Sequence, residues 1–274
     1  MTRRIAGALL LAALLAACRT VPGSGRSQLN LADESALAAE AADAFRSMPR
    51  SKDPLAQARV RAIAARVIDA ARTDPDFGDP TLPPPSAWEV AVIADDTPNA
   101  FALPGGRIGF HSGMFRLATS DDAIAVVLAH EVAHVVCRHG NERVSQRLLA
   151  ALGAVALDQS MRDKSSGRRQ EALAVYGAAA SLGLILPYSR HHENEADHLG
   201  LFYMARAGYR PAAAVAFWRG FSQEGGVKPP EFLSTHPSDS TRVARLQALL
   251  PEAERRFRPW TEPQRASTPT GPIR

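Results

Sequence analysis

The chain has 274 residues, 46% of them apolar, which suits one large packed domain or two small ones. Its 32 basic and 28 acidic side chains leave a net charge of +4, too small and scattered for a nucleic-acid surface despite an arginine excess near the C-terminus. Only two cysteines occur, Cys18 and Cys137. Cys18 has another use, given next, so no structural disulfide is expected. Cys137 reads as a lone buried thiol, without the His and Asn or Asp set of a cysteine nucleophile.

Arg3 and Arg4 precede an almost unbroken run of Ala, Leu, Ile and Gly from Ile5 to Ala17. The run is too short to span a bilayer as a helix and matches the apolar region of an export signal. It ends in Leu15-Ala16-Ala17-Cys18, which resembles the bacterial lipobox, where the peptide is cut before a cysteine that is then acylated. Residues 1–17 are therefore expected as a lipoprotein signal peptide and Cys18 as the lipidation site and membrane anchor. Loss of Arg3 and Arg4 would bring the charges to 30 basic against 28 acidic. Arg19 stands where an inner-membrane retention signal would show Asp, which favours the periplasmic face of a Gram-negative outer membrane. Residues 18–30, rich in Gly, Ser and Arg, predict a flexible tether. A globular domain is expected over 31–257, followed by a disordered tail over 258–274, rich in Pro, Thr, Ser and Arg.

Two alanine-rich helices are predicted at about 32–48 and 53–72, the second opening on Asp53-Pro54, an N-cap with proline at the first position. The Pro- and Asp-rich stretch 74–86 is a loop. Residues 88–94 read as a strand, and two short extended runs flank the tight turn Pro104-Gly105-Gly106, predicting a hairpin. Its outer strand, with Asn99, Ala100 and Phe101, is the candidate substrate-binding element, able to pair with an extended peptide through main-chain hydrogen bonds.

One helix of about five turns is predicted from the Ser120 cap, with Asp121 and Asp122 in its first turn, to a stop at Gly140. It contains Leu128-Ala129-His130-Glu131-Val132-Ala133-His134, an HExxH pattern. Residues four apart share a helix face, so His130 and His134 can offer two imidazole nitrogens to one metal ion. Glu131 then sits beside the metal, placed to take a proton from the attacking water and pass it to a leaving amine. His139 rotates off this face. Two further alanine-rich helices are predicted at 141–158 and 168–186. The long uncharged stretch 172–188 is read as a core helix in preference to one inserted in a bilayer.

A third ligand is sought in Arg190-His191-His192-Glu193-Asn194-Glu195-Ala196-Asp197-His198-Leu199-Gly200. On a helix Glu193, Asp197 and Gly200 share one face, and the small residue lets another helix approach, which favours Glu193 as ligand and Asp197 as partner of a ligating histidine. Spacing alone leaves His192 and Glu195 open.

Four ordered motifs over roughly residues 50–250 resemble the M48 zinc metallopeptidases: Asn99-Ala100-Phe101 with Pro104-Gly105-Gly106, the HExxH helix, Ser189-Arg190 with Glu193-Asn194-Glu195-Ala196-Asp197 and Gly200, and Thr235-His236-Pro237-Ser238 with Arg242. The resemblance implies a mostly helical α+β, zincin-like domain with a small sheet beside the HExxH helix. It implies one zinc per chain on His130, His134 and Glu193, with Glu131 as base. His236 is implied near the metal, as transition-state stabiliser or resting-state cap, and Arg242 as orienting His236 or the substrate. The chain is most similar to small periplasmic lipoprotein peptidases. The function expected is a zinc endopeptidase cleaving unfolded or misassembled envelope proteins, with no nucleic-acid partner. The alternative is a zinc-containing, chaperone-like binding lipoprotein with little proteolysis.

Overall fold

The computed structural model describes residues 18–181, 186–223 and 241–259. The chain opens on a hairpin of β1 (Cys18–Thr20) and β2 (Ser27–Leu29), antiparallel with Cys18 opposite Leu29. The stretch expected as a tether is thus ordered and docked. Val21 is fully buried, and Arg26 reaches acidic side chains far along the chain. One apolar and one ion-paired anchor outweigh the local Gly and Ser content.

Helices α1 (Glu34–Ser47) and α2 (Pro54–Thr73) follow, close to the predicted limits because their caps are strong. The Asp33 carboxylate accepts from Ala36 N–H, and that of Asp53 accepts from Leu55 and Ala56 N–H, with Pro54 at the first helical position. The sheet comprises β3 (Glu89–Ile93), β4 (Ala100–Leu103) and β5 (Arg107–His111) in the order β3–β5–β4. β5 pairs parallel with β3 and antiparallel with β4. The β4–β5 turn requires positive φ at Gly105 and Gly106 (81° and 76°), which glycine adopts without steric penalty. Among the described residues β4 is an outer strand.

The centre of the domain is α3 (Asp121–Val136), capped by the Ser120 hydroxyl, which accepts from Ala123 N–H. Every residue from Ile124 to His134 is buried. A helix apolar nearly all round must be enclosed on all sides, and α3 is, by α2, by β4 and β5, and by α6 (Leu186–Arg206) and α7 (Ala212–Gln223) introduced below. Each of its fully buried Val, Leu or Ile side chains contributes about 1.5–3 kcal/mol.

α3 ends at Val136, short of the predicted stop at Gly140. Arg138 takes the left-handed conformation (φ 53°), and α4 (His139–Ser160) sets off from it. A residue other than glycine makes the break, so the sequence signal pointed to the wrong residue. His139 is completely buried at the break.

α4 and α5 (Ser166–Ala180) form a helical hairpin, joined by Arg169–Asp158 and Tyr176 Oη–H donating to the Ala150 carbonyl. The expectation of a core helix over 172–188 fails for its described part. α5 has no buried residue, and Val175 is 65% exposed, because small alanine side chains pack one face on α4 and, among the described residues, the other stays open. None of the described helices is long and apolar enough to cross a membrane.

α6 lies along α3, α7 follows it, and α8 (Arg242–Arg256) packs on both α6 and α7. The two helices α3 and α6 approach closely at Gly200, where a Cβ would stand 3.1 Å from the Ala129 carbonyl carbon and the His130 nitrogen. Gly200→Val is expected to push α6 away, lowering stability by about 1–3 kcal/mol through overpacking. Thermal unfolding of the metal-free protein checks this; an unchanged midpoint would mean the two helices have slack.

Candidate metal centre

His130 and His134 stand one turn apart on α3, and α6 brings Glu193 against them. His130 Nε2 lies 3.2 Å from Glu193 Oε2, His134 Nε2 3.5 Å from Glu193 Oε1, and the two Nε2 atoms are 3.1 Å apart. All three side chains are buried, and one donor atom from each falls within 4.8 Å of the others. A tetrahedral zinc with bonds of about 2.0–2.1 Å sets its donors roughly 3.3 Å apart, so two imidazoles and a carboxylate at these spacings fit that ion.

Each histidine is held from behind. His130 Nδ1 is 3.1 Å from Asp197 Oδ1, and the Arg242 guanidinium donates through Nε to Asp197 Oδ2 (2.6 Å) and through Nη2 to Glu193 Oε2 (2.8 Å). Arg242 also lies flat over Trp218, 4.0 Å from the ring centroid. It therefore braces Glu193 and the carboxylate behind His130, while His236, which the sequence reading gave it to orient, lies outside the described residues. Burial disfavours its charge, but Asp197 and Glu193 outweigh this and raise its pKa.

His134 Nδ1 is 2.8 Å from His139 Nδ1, and His139 Nε2 is 3.0 Å from Glu195 Oε2. Glu195 also accepts from Ser24 Oγ–H (2.6 Å) and from Arg26 Nε and Nη2 (2.9 and 3.0 Å). Arg26 simultaneously grips Glu142 through both oxygens (2.7 and 2.8 Å), and Glu142 meets His192 Nε2 at 2.9 Å. Burial pushes the His139 pKa down to about 3, more strongly than Glu195 raises it. For Glu142 burial acts upward, yet hydrogen bonds from Arg26 and His192 prevail and hold the carboxyl near 2. His192 and Glu195, the open alternatives for third ligand, are thus engaged elsewhere. His139, Glu142 and Arg26 escaped the sequence reading; a histidine five places after the HExxH was the only hint.

Burial also opposes charge on His130, but hydrogen bonds to Asp197 and Glu193 and their negative charge outweigh it and lift its pKa to about 9 in the metal-free protein. A raised folded pKa means that this stabilisation is complete below the ordinary 6.5 and is lost as pH rises through 9. An incoming zinc must displace that proton. Between pH 6.5 and 9, zinc uptake is expected to release about one proton from His130. Calorimetry in two buffers of different ionisation enthalpy checks this; an identical apparent heat would contradict it.

Glu131 is 1% exposed, on the same helix turn as the two histidines. Half-buried Arg143 carries charge felt by both Glu131 and Glu193, and burial lowers its pKa. His134 and Arg143 share a crevice with Ala102, Leu103 and Pro104, on and beyond β4. Asn99 and Ala100 are buried. Asn99 Oδ1 accepts from Ala100 N–H, and Phe101 packs edge-on against Phe45 and His111. Their side chains serve the sheet, leaving main-chain groups as what β4 can offer a peptide. Cys18 is exposed at the start of β1, and Cys137 is fully buried. Residues 1–17, His236 with its Thr-His-Pro-Ser motif, and most of the expected tail lie outside the described residues.

The arrangement is that of a metallopeptidase centre, and the chain belongs to peptidase family M48, whose model matches residues 54–250. It is 39% identical over 173 residues to the mitochondrial metalloendopeptidase OMA1 of Schizosaccharomyces pombe, covering 61% of this chain and 48% of that one. With OMA1 of Saccharomyces cerevisiae it shares 34% over 209 residues, 71% of this chain and 56% of the relative. With the β-barrel assembly-enhancing protease of Escherichia coli it shares 29% over 207 residues, 72% and 39% of the two chains. The chain thus spans about half the length of the fungal relatives. These relatives overturn the expected placement as a bacterial outer-membrane lipoprotein, since the names of the fungal, plant and animal ones place them in mitochondria. A four-residue lipobox of common residues at the end of an alanine–leucine run carries too little information to fix a compartment.

Proposed function

We propose that the protein is a zinc-dependent metalloendopeptidase. The observation that carries this reading is the buried His130–His134–Glu193 cluster with Glu131 beside it, in a chain of a peptidase family. His130, His134 and Glu193 would hold zinc, one ion per chain. When bound, zinc supplies Lewis acidity toward the scissile carbonyl and makes water a better nucleophile at neutral pH. Glu131 accepts the proton of the attacking water and returns it to the leaving amine. Asp197 and Arg242 keep the His130 ring and the Glu193 carboxylate aimed at the cluster. His236 is proposed as a hydrogen-bond donor to the developing oxyanion.

In this reading the substrates are extended segments of unfolded or misassembled proteins, envelope proteins included, because an outer strand such as β4 recognises backbone before side chain. The assembly-enhancing function in the name of the Escherichia coli relative supports that class. Acylation of Cys18 as a membrane anchor belongs to the same reading, and intact-mass measurement of the membrane-extracted protein tests it. Removing the metal with a chelator is expected to abolish casein cleavage, and one equivalent of zinc to restore it. Cleavage that survives chelation, with no metal left on the protein, would overturn the function.

A further inference from the structure

Among the described residues, the hydrogen bonds behind His134 run without a gap from the metal cluster to the N-terminal hairpin. His134 Nδ1 faces His139 Nδ1 at 2.8 Å, His139 Nε2 faces Glu195 Oε2 at 3.0 Å, and Arg26 clamps Glu195 and Glu142 with four contacts of 2.7–3.0 Å. The His139 ring is 0% exposed and stacked on His192 with centroids 4.2 Å apart and planes 19° apart, so it cannot turn over without displacing its neighbours. Such a chain has a direction. A carboxylate already receiving Ser24 and Arg26 has only acceptors to offer, so His139 Nε2–H donates to Glu195. The 2.8 Å contact between the two Nδ1 atoms holds one proton, and a His134 that offers Nε2 to a metal carries that proton on Nδ1, so His139 Nδ1 accepts it. That tautomer leaves a lone pair on His134 Nε2, the atom facing His130 and Glu193.

We propose that His139 is the positioning residue of the metal-facing His134, fixing its tautomer and ring angle, and that Arg26 of the N-terminal hairpin, through Glu195, makes that hairpin part of the metal site. The inference rests on His134 being a metal ligand. It differs from the carboxylate behind His130 in kind: an imidazole relays the orientation, and the final anchor sits 169 positions before the carboxylate it holds. Exchanging an outer partner of a metal ligand typically changes affinity about 10–100-fold.

The test uses full-length protein and zinc or cobalt(II) alone as probe. His139→Leu removes the acceptor at similar volume; His139→Asn restores it, since Asn Oδ1 can stand where Nδ1 stood. Chelator competition is expected to show zinc affinity falling about 10–100-fold in H139L, mostly recovering in H139N, and falling in Arg26→Met. The visible spectrum of the cobalt form should shift in H139L and return in H139N, which general loosening would not produce. Should H139L fail to fold, the ring nitrogen NMR shifts of His134 in the metal-free wild type decide the matter: Nδ1–H supports the proposal and Nε2–H overturns it. Wild-type zinc affinity and cobalt spectrum retained in H139L would also overturn it. A wild type that binds no metal would instead sink the metallopeptidase reading, a separate outcome.

Discussion

Glu131→Gln is expected to abolish peptide cleavage while leaving zinc content and fold intact. The exchange is isosteric, and the side chain is 1% exposed in the middle of the most enclosed helix, so packing is conserved. What disappears is the proton acceptor. General acid–base catalysis is worth about 10²–10⁴-fold, and because one group serves both proton transfers here the loss should fall toward the upper end. Initial rates of casein hydrolysis with zinc per chain measured on the same samples check this. Normal rates in the variant would remove Glu131 from the chemistry. Zinc bound but no cleavage in either protein would favour a binding, chaperone-like role.

Arg242→Met is expected to be the most damaging substitution outside the ligands. The guanidinium is 2% exposed, pairs with two carboxylates that are themselves buried, and stacks on Trp218. Methionine keeps much of the volume but strands Asp197 and Glu193 as neighbouring negative charges. Removing one partner of a buried ionic cluster costs about 3–5 kcal/mol. At roughly 2–4 °C per kcal/mol for a chain of this size, the metal-free protein should melt about 10 °C lower. Bound zinc should restore part of the loss, because the ion takes over compensation of Glu193. Calorimetric scans with and without zinc measure both terms; equal midpoints for wild type and variant without metal would show that Asp197 and Glu193 find other partners.

The parts of the site legible in the sequence were those written in one helix. HExxH spacing put His130 and His134 on one face, and the glycine one turn beyond Asp197 anticipated the close contact that brings Glu193 in. Strong local signals such as Asp53-Pro54, Ser120 and Gly105-Gly106 placed helix starts and a turn correctly. What could not be read depended on meetings distant in the chain. The Gly- and Ser-rich start looked like a tether because nothing local announces that Val21 is buried or that Arg26 finds Glu142 and Glu195. The end of α3 was misjudged because Arg138, not glycine, takes the left-handed turn. His139 was set aside by helical periodicity, which stops applying where the helix stops. The stretch 172–188, which includes the second half of α5, looked like core because alanine is apolar, although it offers little surface to bury.

The distances along the chain between the partners also say when this centre can exist. His139 meets Glu195 across 56 positions, Glu193 meets Arg242 across 49, and Arg26 meets Glu195 across 169. Contacts of such separation bear the loop-closure entropy of all the intervening chain, so they form after local helices have condensed. With synthesis at about 5–20 residues per second, α3 emerges many seconds before α8. For about the first half of that interval the HExxH helix is present without the carboxylate that completes its donor set, and throughout it without the arginine that steadies it. The order of translation therefore separates the making of this peptidase chain from the completion of its cutting centre.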